Sequence, residues 1–242
     1  MRSGEVPQSI LTEIDERVVD FVVMATRGHG GVVRAVLGSV ASEMVSRSPT
    51  PIVLLREDGR RLTGLKILLV PADRSPGSVL ALGAARELAR ATGAHRRLLE
   101  VVTPIPLWTY EAGAGFYFPH QIDQDWDAAA LRSAREYVSD LASRLRQQDL
   151  SADGLAIMSN VVGDVPQAIV QAAQDVSADL IVMSTRAHTD PARAVLGSVA
   201  DAVARSAQAP VLLLRYDHSS TPSPAGHNAE PMPLPDSPGV PH

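Results

Sequence analysis

The sequence predicts an α/β fold, a doubly wound parallel five-stranded sheet that is preceded by a half-copy of the same unit. Short apolar runs alternate with amphipathic helical stretches along most of the chain. In addition, residues 4–56 align without a gap with residues 163–215, and about 23 of these 53 positions are identical. The chain therefore contains two copies of one α-β-loop-α-β unit.

Each copy of the repeat predicts two helices and two strands. The first strand is a short, unbroken apolar run, as buried parallel strands are, and the last strand follows a proline. The first helices cover about residues 6–17 and 165–176, the first strands Phe21–Met24 and Leu180–Met183, and the last strands Pro51–Leu55 and Pro210–Leu214; the second helices open at Gly38-Ser39 and Gly197-Ser198.

Only the second copy has a front half. Lys66–Val70 is its predicted opening strand, and Ser75 with Pro76 provides an N-cap and a first-turn proline for a helix. We expect Val79, Leu80, Leu88 and Ala89 to share one face of that helix. The elements that follow are a strand over 97–102, a helix over 125–148 and a strand over 155–162. Alternation of this kind favours right-handed crossovers with helices on both faces of the sheet.

These patterns divide the chain into four segments: the half-copy over 1–56, a polar linker over 57–64, the complete domain over 65–215 and a proline-rich tail over 216–242, expected to be disordered. An irregular loop with five aromatic residues is predicted over 103–123. It packs its own apolar residues or clamps a ligand. The missing front half of the first copy indicates that the chain begins inside a longer gene product or that its start is misassigned.

The last strands of the two copies would otherwise lie at sheet edges with unpaired backbone groups. We therefore expect strands 51–55 and 210–214 to self-associate, pairing antiparallel across a pseudo-two-fold axis.

Composition excludes several classes of protein. The 22 Lys and Arg residues against 27 Asp and Glu give a net charge of −5 without a dense basic run, so nucleic acid is not an expected partner. Cysteine is absent, which suits a reducing compartment, and we expect a cytoplasmic location. No apolar stretch approaches the roughly 18 residues needed to span a bilayer, so we expect no membrane association.

The strand-to-helix loop of the repeat is the strongest candidate for a binding element. In the first copy nine residues separate Gly28 from Gly38-Ser39. Small residues at the carboxyl end of a parallel strand let backbone N–H groups approach an anion, and the following helix adds roughly half a positive charge. The pattern predicts a phosphate site.

With this loop, with residues 70–75 (Val-Pro-Ala-Asp-Arg-Ser) after the opening strand and with Gly163–Pro166, the chain resembles the universal stress protein family. ATP-binding members of that family carry Gly, two residues, Gly, nine residues, then Gly-Ser or Gly-Thr. The resemblance covers essentially residues 4–215 and implies a Rossmann-like, adenine nucleotide α-hydrolase-like fold with ATP as the cofactor.

The resemblance also implies individual contacts. It places adenine beside the carboxylate of Asp73 and the backbone of Pro71, Ala72 and Val101. Ribose and phosphates are placed among Met183, Ser184, Ala187, Gly197, Ser198 and Val199, and the corresponding loop of the first copy contains Gly28, Gly38 and Ser39. A carboxylate can accept a hydrogen bond from the adenine amine, and Ser198 can donate to phosphate. A turn residue that caps the first helix is the alternative role of Asp73.

The complete domain departs from the family pattern at three loop positions. Ser184 and Ala187 replace the two leading glycines, and Asp190 adds negative charge beside a polyanion. If either glycine position needs a positive φ, a Cβ there costs about 1–2 kcal/mol. We therefore expect reduced or lost affinity for ATP. In the first copy Ala25 replaces the leading glycine, and no counterpart of Asp73 is present.

Other sites are not expected. His29 and His188 are lone loop histidines without a second ligand at metal spacing, so no metal is predicted, and neither a Gly-x-Ser-x-Gly elbow nor a Walker A lysine loop is present. Arg27 and Arg186 either neutralise phosphate or are exposed turn residues. We expect a binding module for an adenine nucleotide with a role in stress regulation. A nucleotide-independent interaction module is the alternative, and slow ATP hydrolysis is third.

Overall fold

The computed structural model describes residues 6–26, 37–104, 120–160, 163–186 and 196–216. Helices and strands alternate in these ranges, except that two strands follow one another in the second range. The helices are α1 Val6–Glu16, α2 Ser39–Arg47, α3 Pro76–Thr92, α4 His120–Arg146, α5 Val165–Asp175 and α6 Ser198–Ser206. The strands are β1 Val22–Ala25, β2 Ile52–Leu55, β3 Ile67–Pro71, β4 His95–Val102, β5 Ala152–Met158, β6 Leu180–Arg186 and β7 Val211–Tyr216.

The strands form one sheet in the order β1-β2-β7-β6-β3-β4-β5. Five of these strands, β3 to β7, belong to the complete domain, as predicted, and the two strands of the half-copy extend the sheet to seven. All neighbouring strands are parallel except β2 and β7, which are antiparallel with Ile52 opposite Leu213. The predicted antiparallel pairing of the two last strands is therefore confirmed. Each has a neighbour on both sides, so the pairing joins the two copies within one chain.

Helices pack on both faces of the sheet, although β1 is uncovered on the face that carries α3 and α4. One hydrophobic cluster contains Leu11 of α1, Met44 of α2, Ile169 of α5 and Val203 of α6, so these four helices share a face. The other cluster contains residues of α3 and α4. Strand side chains alternate between the clusters in the usual way for a sheet that is covered on both sides.

The two copies also exchange reciprocal arginine contacts. The Arg56 guanidinium donates to the carbonyl of Arg205 at the end of α6, at 2.8 Å. At the equivalent position of the second copy, Arg215 donates to the carbonyls of Ser46 and Arg47 at the end of α2, at 3.3 and 3.0 Å. A cation at a helix C-terminus satisfies free carbonyls and opposes the negative end of the helix dipole. The contact between the copies is therefore two-fold symmetric in its polar groups as well as in its strands.

The predicted start of α3 is confirmed, and its predicted face is partly right, because Ala89 is buried and Leu88 packs against the core. Ser75 is the N-cap, and its hydroxyl accepts from Ser78 N. Val79 and Leu80, however, are 65% and 39% exposed. The buried face is made of small residues, Gly77, Ser78, Ala81, Ala85 and Ala89. Small side chains let α3 approach the sheet closely, while Val79 and Leu80 point away from it.

Several boundaries also differ from the sequence prediction. The strand β5 begins three residues before the predicted 155, and α4 already begins at His120, inside the predicted loop. Tyr216, which the sequence assigns to the tail, is the last residue of β7. The polar linker is fixed at Arg60, which pairs with Asp179 at 3.0 Å. Most of the aromatic loop and the tail after Tyr216 lie outside the described residues.

No helix in the described ranges combines the length and the apolar composition that a bilayer crossing requires.

Candidate functional site

A cleft of about 350 Å³ opens at the carboxyl ends of β3 and β6. From β3 the chain runs outward through β4 and β5, and it then returns to build β6 and β7 on the opposite side of β3. The boundary between β3 and β6 is therefore the topological switch point of the sheet, where doubly wound folds place their ligands. The volume lies in the usual range for small-molecule sites.

All nine described residues of the complete domain that the sequence assigns to a nucleotide line this cleft. They are Pro71, Ala72, Asp73, Val101, Met183, Ser184, Gly197, Ser198 and Val199. Ala187 and Gly28 lie outside the described residues, as do Asp190 and the two loop histidines. Gly38 and Ser39 start α2 in the half-copy and are not part of the cleft lining.

The N-terminus of α6 forms one side of the cleft. Gly197 is its N-cap residue, and no side chain in the described ranges caps the helix. The N–H of Gly197 donates to Thr185 Oγ1 at 3.1 Å, while Ser198, Val199 and Ala200 supply the first-turn N–H groups at the cleft wall. Helix N-termini attract anions through such N–H groups and the helix dipole.

The loop between β3 and α3 forms the opposite side. Asp73 Oδ1 accepts from Ser75 N at 3.1 Å and from Ser75 Oγ at 2.5 Å, while Ser75 caps α3. Both bonds use Oδ1, so Oδ2 has no hydrogen-bond partner among the described residues. The two roles considered for Asp73 are thus compatible, because one oxygen stabilises the turn and the other remains available to a ligand.

Ser184 does not have the conformation that its loop position predicts. It lies within β6, opposite Leu214 of β7, and it is absent from the described residues with positive φ. The backbone penalty considered for a positive φ therefore does not apply at Ser184, because the strand continues three residues beyond Met183. A Cβ added to Gly77 would clash with the Ser184 Oγ. Ser184 thus fills the space that the glycine leaves at the start of α3.

A polar cluster behind Asp73 was missed by the sequence analysis. Arg74 Nε pairs with Glu100 Oε1 at 3.3 Å, and the guanidinium lies 4.6 Å from the ring centroid of Tyr137. Burial raises the pKa of Glu100, although the Arg74 charge opposes this shift. Burial also raises the pKa of Tyr137, with a further contribution from the Glu100 charge. No motif links these three residues, which come from a loop, β4 and α4.

A second polar cluster lies at the other end of the sheet. His95 Nδ1 is 2.6 Å from Ser151 Oγ, and His95 Nε2 is 3.1 Å from Asp153 Oδ1. Asp153 also accepts two hydrogen bonds from Arg97. Burial acts to raise the pKa of Asp153, but the bonds from Arg97 and His95 lower it overall. The Asp153 carboxylate already pairs with Arg97. We therefore interpret this cluster as a structural ion pair and not as a catalytic base that activates Ser151.

Cleft residues that the sequence did not single out include Tyr216, Gly77 and Ser78. Ser78 could have been inferred from the N-cap motif that begins at Ser75, whereas no local sequence pattern indicates that Tyr216 lines the cleft. Arg186 also lines the cleft and is exposed at its rim, so both of its proposed roles remain compatible with its position. Within the described ranges, no three His, Cys, Asp or Glu side chains cluster closely enough to hold a metal ion.

Comparison with known proteins agrees with this architecture. Residues 1–56 and 64–215 match the model of the universal stress protein family. Universal stress protein Rv2005c of Mycobacterium tuberculosis is 27% identical over 212 residues, which are 86% of this chain and 66% of that protein. The chain thus spans slightly less than two thirds of the length of this relative.

Solved structures show the same fold. A universal stress protein from Archaeoglobus fulgidus DSM 4304 superposes with a TM-score of 0.59 at 20% identity, covering 88% of this chain and 66% of that one. The universal stress protein from Archaeoglobus fulgidus in complex with dAMP covers 62% of this chain and 96% of its own, at 23% identity and a TM-score of 0.41. At that TM-score the likeness carries no inference about a ligand.

Proposed function

Because the chain belongs to the universal stress protein family, we propose that its cleft binds an adenine nucleotide such as ATP and that the protein acts as a nucleotide-responsive stress module rather than an enzyme. The observation that carries this proposal is that the nine described residues that the resemblance assigns to a nucleotide line one cleft at the switch point of the sheet. They come from three strands, a loop and the start of a helix.

The two sides of the cleft differ in a way that orients the nucleotide. The α6 end offers first-turn N–H groups that no described side chain caps, and Arg186 adds a positive charge at the rim. The α3 end is already capped by Ser75. Phosphates therefore bind at Gly197–Val199, and adenine binds against Asp73, whose carboxylate accepts from the exocyclic amine.

Isothermal titration with ATP, at fixed magnesium and salt, tests the phosphate end. Ser198→Glu places a carboxylate beside the phosphates, and we expect it to weaken ATP binding about tenfold, which corresponds to roughly 1.4 kcal/mol. A glutamate in the first turn favours the helix itself, so folding should not suffer. Ser39→Glu is the matched control, because Ser39 is the equivalent exposed first residue of α2 and lies outside the cleft lining. It should leave the affinity within about twofold.

Titration with GTP tests the base end. Asp73→Ala should weaken ATP binding and leave GTP binding nearly unchanged, because guanine offers a carbonyl where adenine offers an amine. Equal losses for both nucleotides would contradict the assignment of Asp73. No ATP binding to the parent protein would remove the proposal and favour the nucleotide-independent interaction module.

A further inference from the structure

Arg74 holds the left-handed backbone conformation, with φ of 63°, directly between Asp73 and the helix cap Ser75. The other non-glycine residues with positive φ in the described ranges are Asp149 and Ser177. These two lie just after α4 and α5 and donate N–H bonds to the last turns, where such a conformation is common. Arg74 instead precedes a helix, so its conformation has a different cause.

Contacts from two elements, β4 and α4, hold Arg74 in place. Its guanidinium pairs with Glu100 of β4, stacks on Tyr137 of α4 and donates to the carbonyl and hydroxyl of Ser133 at 3.0 and 3.2 Å. The Tyr137 hydroxyl in turn interacts with the Arg74 backbone and the Ser78 side chain. Ser133 and Tyr137 are one helical turn apart, so a single face of α4 grips the loop.

The burial of Glu100 indicates that holding Arg74 in this position costs folding free energy. Its side chain is 15% exposed, and its Oε2 is buried without a hydrogen-bond partner in the described part of the chain. A buried carboxylate that is only partly satisfied costs free energy, as does a left-handed arginine. Strain of this kind persists where the surroundings over-determine it, which happens most often at functional sites.

We propose that Arg74 is a positioning residue that, clamped by α4 and Glu100, sets the orientation of the Asp73 carboxylate in the cleft and thereby its selectivity for adenine. This inference takes the adenine nucleotide from the proposed function, but the residues that it concerns are Arg74 and its contacts and not the residues that line the cleft. Arg74 is absent from the cleft lining. It acts through the backbone that it shares with Asp73 and Ser75.

Two variants release the clamp by different routes. Arg74→Gly removes the guanidinium while permitting the same φ, and Tyr137→Phe keeps the ring but removes the hydroxyl contacts. Asp149→Gly is the matched control, because it relieves a left-handed residue in the exposed turn after α4. We expect both clamp variants to weaken ATP binding at least fivefold and to lower the ratio of ATP to GTP affinity by a similar factor. The control should keep both within twofold.

Hydrogen exchange in the nucleotide-free protein tests the clamp without a ligand. The amides of Ser75 and Ser78 should exchange at least tenfold faster in both clamp variants than in the parent protein. Their exchange rates should be unchanged in the Asp149→Gly control. If the parent protein binds no ATP but the clamp variants still exchange faster than the parent, the clamp is supported and the nucleotide proposal is removed. Unchanged exchange, or an unchanged ATP-to-GTP ratio in variants of a parent that binds ATP, would overturn the positioning role.

Discussion

Val23 and Val182 occupy equivalent positions in the two copies of the repeat, yet their surroundings differ. Val23 on β1 is 52% exposed, whereas Val182 on β6 is 0% exposed. Val182 packs in the cluster that α3 covers, and α3 lies outside the two repeated segments. Identical residues in a repeat therefore predict the same element but not the same burial, because the covering layer comes from another part of the chain.

The interface between the copies should show the opposite behaviour, because it is symmetric. Leu54 and Leu213 are equivalent and are 1% and 2% exposed. Leu54→Lys and Leu213→Lys should each lower the free energy of unfolding by about 3–5 kcal/mol, the usual cost of an uncompensated buried charge. Urea unfolding and size-exclusion chromatography measure the effect. Unchanged stability and hydrodynamic size in either variant would contradict the symmetric interface.

The valine pair provides the second test. Val182→Thr keeps the shape of the side chain but buries a hydroxyl, so we expect it to lower the free energy of unfolding by about 2 kcal/mol. Val23→Thr at the equivalent exposed position should change it by less than about 0.5 kcal/mol. Urea unfolding of both variants compares them directly. A similar loss in both would mean that a covering layer also buries Val23.

The reciprocal arginines test how far the symmetry extends. Arg56 is 16% exposed and also pairs with Asp58, whereas Arg215 is exposed. Arg56→Ala should therefore cost about 1.5 kcal/mol and Arg215→Ala about 0.5 kcal/mol, since charge-assisted bonds contribute more when they are shielded from water. Thermal unfolding at two salt concentrations measures both. Equal costs would show that burial does not distinguish the two contacts.

Glu100 lies on β4, outside the two repeated segments. Because burial raises its pKa in the folded state, its contribution to stability is fully present below the unfolded value of about 4.3 and is lost as pH rises through the folded pKa. Glu100→Gln avoids this loss, so it should stabilise the protein at pH 7 by up to about 1 kcal/mol. Urea unfolding at pH 7 and pH 4 measures the change. The gain should disappear at pH 4, and a gain that is independent of pH would exclude ionisation as its cause.

Local patterns predict elements well in this chain. Ser75 with Pro76 identified the start of α3, and the repeat identified the antiparallel pairing of β2 with β7. The buried face of α3 was predicted only in part, because large apolar side chains were used as the main cue. Val79 is large and exposed, whereas Ala81 is small and fully buried. Close packing of a helix on a sheet selects small residues, which a count of large apolar side chains cannot detect.

The site likewise contains residues that sequence motifs predict and residues that only the fold brings together. Asp73, Gly197 and Ser198 lie within sequence motifs and line the cleft, and their contacts with a nucleotide stay a prediction. Glu100 and Tyr137 lie outside those motifs, and only the crossover through β4 and α4 brings them to Arg74. The interpretation of Ser184 as a loop residue failed because β6 continues to Arg186, and strand length depends on pairing with β7.

The pairing of β2 with β7 joins residues about 160 positions apart in the sequence. Loop closure over such a distance is entropically slow, and a growing chain emerges from its N-terminus first. During synthesis, the backbone groups of β2 that pair with β7 therefore stay unpaired until the complete domain has formed. Short edge strands limit the risk of pairing with foreign chains, and β2 has only four residues. The half-copy is thus expected to be the last part of the sheet to fold and the first to separate under load.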